Sequence, residues 1–163
     1  GQIILNGKNI RGIELGKIAK MLGIVFQNPE TQLFFPVVED EIAFGPENLC
    51  LEREEIGKRI KKALAVVGIT EKRENNPHQL SGGEKQLVAL ASVLGLEPDI
   101  LIFDEAMSQI DEEGIDLIKE AVLTLKKQGK IVIMVEHDLD NLDIADRILV
   151  LKKGRLRPFV GEY

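Results

Sequence analysis

Ile100-Leu101-Ile102-Phe103-Asp104-Glu105 runs from four apolar residues straight into two carboxylates. The unbroken apolar run predicts a short buried strand over 99–103. In open α/β sheets ligands bind at the carboxyl ends of the strands, so Asp104 and Glu105 stand where a site would form. One carboxylate there could hold Mg²⁺ while the next polarises a water. A strand that simply ends in acidic residues would carry the same letters.

Downstream, Asp111 can cap a helix whose Ile115, Ile118, Val122 and Leu125 face inward. A second apolar strand, Lys130 to Val135, delivers Glu136-His137-Asp138 at its end. A short helix from Asp138 to Ala145 and a last strand from Arg147 to Leu151 follow, and Lys152-Lys153-Gly154 turns the chain into its tail. His137 follows a strand expected beside the one ending in Asp104-Glu105. His78 sits in a Pro-His-Gln loop with no acidic partner evident and reads as structural.

Upstream, Leu80-Ser81-Gly82-Gly83-Glu84-Lys85-Gln86 opens a helix running to about Leu96, with Ser81 as N-cap and Glu84 completing a capping box. Unpaired N–H groups and the helix dipole favour an anion at such a start. A cap with a flexible approach accounts for the same residues. Between Glu52 and Val67 the residues Ile56, Ile60, Ala63, Leu64 and Val67 form one helical stripe, which Gly68 ends. Earlier come a β-run at Ile3 to Leu5 with an Asn6-Gly7 turn, a helix from Glu14 to Leu22, a strand from Gly23 to Phe26, and a loop at Gln27-Asn28-Pro29-Glu30. Apolar strands alternating with helices predict a mostly parallel sheet covered on both faces.

The 163 residues suit one domain. A formal net charge of −6 provides no basic footprint for nucleic acid. The lone Cys50 cannot form an internal disulfide and points to a reducing, cytoplasmic setting. The longest apolar stretch, Leu87 to Leu96, is about half of the roughly 20 residues that a spanning helix needs.

Taken together, these segments resemble the ATP-binding-cassette (ABC) ATPases. Leu80 to Gln86 is similar to that family's signature motif, and Ile100 to Glu105 to its Walker B strand with the catalytic glutamate. Ser108 and Asp111 fit its D-loop, His137 its switch histidine and Gln27 its Q-loop. Phe26 to Phe34 and Glu39 to Leu49 resemble the ATPases of energy-coupling-factor importers, which carry vitamins, cobalt or nickel. No heptads persist between Gln27 and Ser81, unlike the coiled-coil insertions of DNA-repair and chromosome-organising relatives.

The resemblance implies an α/β, P-loop NTPase-like fold over residues 1–163, with a helical signature subdomain at about 36–96. It implies ATP and Mg²⁺ as ligands, Asp104 and Gln27 at the metal, and Glu105, His137 and Gln27 as the catalytic group. Ser81, Gly82, Gly83, Gln86 and Asp111 would lie at the nucleotide, with Ser81 and Gly83 reaching across a dimer to ATP held by a second ATPase subunit. Transmembrane subunits would hold the chain at the inner face of the cell membrane, and the activity would power import of metal ions or vitamins.

Two departures qualify this. Ala106, Met107 and Gln109 replace the Pro, Thr and Gly usual in the D-loop region, and Leu87 replaces a frequent arginine. The loop G-x-x-x-x-G-K-[ST] that cradles the phosphates (Walker A) is not among these residues, nor is the sheet strand before it. With Gly1 in place of Met, the expectation is an N-terminally truncated chain. Its alternative role is a non-hydrolytic subunit that completes the site of an intact partner.

Overall fold

The computed structural model describes residues 1–159. Asn6 and Gly7 take φ of 49° and 76°, the left-handed conformation that closes a two-residue turn. Strands β1 (Ile4–Leu5) and β2 (Lys8–Asn9) pair antiparallel across it. Helix α1 (Leu15–Ala19) leads to β3 (Leu22–Val25). This helix stops short of Leu22 because Leu22 and Gly23 already pair with Ile100 and Leu101.

Three helices follow. In α2 (Val38–Asn48) Val38, Ile42 and Ala43 are buried. In α3 (Arg53–Val67) the buried stripe is Ile60, Ala63, Leu64 and Val67, and Gly68 ends the helix at φ 74° with its N–H on the Leu64 carbonyl. Helix α4 (Gly82–Leu94) is buried along Leu87–Ala91 and packs on α2, α3 and β3. A helix apolar on all sides belongs in the middle of a fold, and α4 occupies that place.

The second half alternates as expected. Strand β4 (Ile100–Asp104) is followed by α5 (Glu112–Lys127) and β5 (Ile131–Val135). The helix expected over 138–145 is a 3-10 turn, Leu139–Leu142, with the Asp138 side chain accepting the Asp140 N–H at 3.0 Å. Such short-range capping by aspartate competes with helix formation. The tail expected after Gly154 is instead a strand. Lys153 and Gly154 take φ of 51° and 73°, and β6 (Leu149–Lys152) pairs antiparallel with β7 (Arg155–Pro158).

Strands β3, β4 and β5 form a parallel three-stranded sheet in that order. On one face Val25, Leu101 and Phe103 are buried, and Val132 and Met134 join them against the helical core. The expected cover on the other face is not there: Ile131 is 57% exposed and Ile133 50%. Helix α4 packs on β3 and α5 on β5, and the two helices touch each other, so both lie on the same side. Beside β3, the Gln32 side chain accepts the Phe26 N–H at 2.8 Å and donates to the Ile24 carbonyl at 3.1 Å. It thereby meets two backbone groups as a neighbouring strand would.

Candidate functional site

Because the three strands are parallel and in register, their carboxyl ends deliver Phe26-Gln27, Asp104-Glu105 and Glu136-His137 to one edge of the sheet. Glu105 stands at the centre. Its φ is 52°, a left-handed backbone that costs a non-glycine residue about 1–3 kcal/mol and persists only where surroundings enforce it. The enforcing contacts are its N–H donating to the Val135 carbonyl at 3.0 Å, and its carbonyl accepting the Ser108 N–H at 3.1 Å and hydroxyl at 2.9 Å.

The Glu105 side chain is held at both oxygens. Oε1 lies 2.8 Å from Nε2 of His137, and Oε2 accepts from Nε2 of Gln27 at 3.3 Å. The same Gln27 nitrogen donates to the Ser108 hydroxyl at 3.0 Å. Gln27, Glu105, Ser108 and His137 thus form one connected group, though they come from three strand ends. Glu105 and His137 are side by side as a carboxylate and an imidazole able to exchange a proton.

Asp104 is exposed at the end of β4. Among the described residues no cluster of three or more His, Cys, Asp or Glu side chains could hold a metal by itself. One carboxylate and one amide oxygen, on Asp104 and Gln27, is the sparse oxygen set that suits Mg²⁺, which keeps water and takes substrate phosphates.

Glu136 was not foreseen. Its Oε1 is buried without a hydrogen-bond partner. Burial pushes its carboxyl above the usual range; a hydrogen bond to Asn141 opposes this, and the charges of Glu105 and Asp138 add to it. Asn141 is itself buried in the turn after β5.

The start of α4 matches the expected cap. The Ser81 hydroxyl accepts the Glu84 N–H at 3.3 Å, and the Glu84 carboxylate accepts the Ser81 N–H at 2.9 Å. Lys72, 2.8 Å from Glu84, holds that carboxyl below the usual range, aided by the Ser81 N–H. Ser81 and Gly82 are exposed and Gly83 is buried. A Cβ on Gly83 would lie 2.7 Å from the Gly114 Cα, so the first turns of α4 and α5 touch through two glycines. Asp111 caps α5 by accepting the Gly114 N–H at 3.0 Å. Gly114 escaped sequence reading, although a glycine in a helical first turn was a usable signal.

One expected residue sits differently from its sequence reading. Gln86 is 1% exposed and turned inward, its Nε2 donating to the Phe26 carbonyl at 2.7 Å. His78 lies in the turn Pro77–Gln79, where its N–H donates to the Asn76 side chain at 2.9 Å.

Residues 1–108 match the ABC transporter family. The chain is 46% identical over 153 residues to the energy-coupling factor transporter ATP-binding protein EcfA of Methanosarcina acetivorans, covering 90% of this chain and 56% of that protein. It is 42% identical over 157 residues to EcfA1 of Streptococcus pneumoniae, covering 96% and 57%. CbiO1 of Clostridium perfringens, part of the ABC transporter complex CbiONQ, superposes with a TM-score of 0.86 at 35% identity, over 96% of this chain and 64% of that one. The chain therefore spans a little over half the length of these curated relatives.

Proposed function

The chain belongs to the ABC transporter family, and from that premise we propose that it is the ATP-binding, ATP-hydrolysing part of an energy-coupling-factor importer of metal ions or vitamins. The observation that carries this reading is the Gln27–Glu105–His137 group at the sheet edge, with Asp104 beside it. Relatives named as energy-coupling-factor ATPases, and a structural neighbour from a CbiONQ complex, support the importer class.

In this reading Glu105 orients or deprotonates the attacking water, and His137 contacts the terminal phosphate and steadies the Glu105 carboxylate. Gln27 keeps Glu105 and Ser108 aligned through its shared amide. Asp104 and Gln27 would hold Mg²⁺, which supplies charge neutralisation at the phosphates. Ser81, Gly82 and Gly83 offer the amino end of α4 to a nucleotide held by a second ATPase subunit. Asp111 lies beside them at the start of α5, and Gly83 packs against Gly114. Among the described residues no helix is long and apolar enough to cross a membrane, and attachment to the inner face of the membrane would come from transmembrane subunits. No nucleic-acid partner is part of this reading.

Replacing Glu105 by Gln keeps the shape and removes the base. Hydrolysis in the full chain, assembled with its partners, should fall by about 10²–10⁴, and an unchanged turnover would end this assignment.

A further inference from the structure

We propose that Gln86 and Lys85 are positioning residues that tie the Gln27 loop to the first turn of α4, so that engagement at Ser81 to Gly83 is felt at Glu105. The inference rests on the functional reading above for its consequence, but the linkage itself is a matter of geometry.

Gln86 donates to the Phe26 carbonyl, one residue before Gln27, at 2.7 Å. The next residue back along the helix, Lys85, pairs with Glu30 at 2.7 Å, three residues after Gln27. Adjacent residues of α4 therefore grip the loop on both sides of Gln27. The loop between is stiff: Asn28 caps the turn Pro29–Thr31 by accepting the Glu30 N–H at 2.9 Å, and Pro29 is buried. At its far side Gln27 reaches Ser108 and Glu105. A continuous chain of contacts thus runs from the cap of α4 to the carboxylate at the sheet edge, the kind of packed connection through which two sites can be coupled.

Gln86 is a costly way to fill the interior. Its side chain is 1% exposed and its Oε1 has no partner, and an unpaired buried polar atom costs about 1–3 kcal/mol. An apolar side chain of similar length would fill the space without that cost. What the amide adds is its one bond, to the peptide that leads into Gln27.

Gln86→Met in the full chain removes that bond while keeping length and leaving no new polar group on the side chain. The Gln27 side-chain amide resonance should move, and the thermal midpoint should change little, since the lost bond to the Phe26 carbonyl offsets removal of the unpaired oxygen. Turnover should fall roughly ten- to a hundredfold, as for a small misplacement of a catalytic group, with the KM for ATP little changed. A Gln27 resonance and turnover both left in place would overturn the proposal. The ion-pair end of the link, where Glu30 is exposed and Lys85 is partly buried, offers a second test. Lys85→Glu and Glu30→Lys should each lower turnover, and the two together should restore most of it. Failure of the exchange to restore turnover would overturn the role of that pair. If the unaltered full chain shows no response to ATP, the functional reading falls, while the Gln27 resonance still decides the linkage.

Discussion

The helical half and the sheet cover their apolar surface in different ways. Helices α2, α3 and α4 pack on one another and share one core with β3 and α5, in which Val38, Ile42, Leu64, Leu87 and Val88 are fully buried. The sheet buries one face and leaves Ile24, Ile131, Ile133 and Val135 exposed on the other. Ion pairs occur in both regions, as Lys119 with Asp143 shows beyond β5. In the helical half Arg73 holds Glu39, Lys72 holds Glu84 and Lys62 holds Glu97 below the usual carboxylate range. At the sheet edge Glu136 is pushed up by burial. Among the described residues the helices and one sheet face thus share a core, and the other sheet face and the strand ends stay open.

The sharpest test of this contrast sets one deletion in each region side by side. Leu64→Ala should destabilise the full chain by about 2–5 kcal/mol in denaturant unfolding, as a cavity in a closed core does. Ile133→Ala should cost under about 1 kcal/mol, because half of that side chain is already in water. An equal cost at both positions would mean that the sheet face is covered in solution and would break the contrast. Next in size is the seam between the regions. Gly83→Ala places a Cβ against the Gly114 backbone and should cost about 1–3 kcal/mol, read from the same unfolding curves.

Ser81→Ala removes the hydroxyl of the capping box and should cost about 1 kcal/mol, with the Glu84–Lys72 pair left in place. The smallest effect concerns pH. A raised carboxyl pKa means that the folded state favours the protonated form, so Glu136 detracts from stability once the pH rises through that pKa. Glu136→Gln should match the parent on the acid side and be more stable at higher pH. Midpoints that differ equally at all pH values would show that burial of the charge is not the cause.

How far the sequence could be read follows the same division. Helix ends were legible because their chemistry is local: Ser81 with Glu84, Asp111 as a cap, and Gly68 after its apolar stripe all act within a few residues. The strands were legible as apolar runs, but a run does not say which face will be covered, and only one is. Asp138 to Ala145 has helical letters, yet the Asp138 side chain takes up the Asp140 N–H and limits the segment to a turn. The site residues were visible as strand ends. Their mutual contacts were not, because Gln27, Glu105 and His137 meet only after β3, β4 and β5 align. The contacts of Gln86 with Phe26 and of Gly83 with Gly114 join segments 60 and 31 residues apart, beyond the reach of any periodic pattern.

The Gln32 amide beside β3 bears on what can add to that margin of the sheet. A sheet lengthens into a fibre only if incoming chains can add at both margins. On the β3 side Gln32 already occupies the Ile24 carbonyl and the Phe26 N–H, so that margin is closed by a single side chain. A further strand can pair beside β3 only if Gln32 first gives up both of those backbone groups.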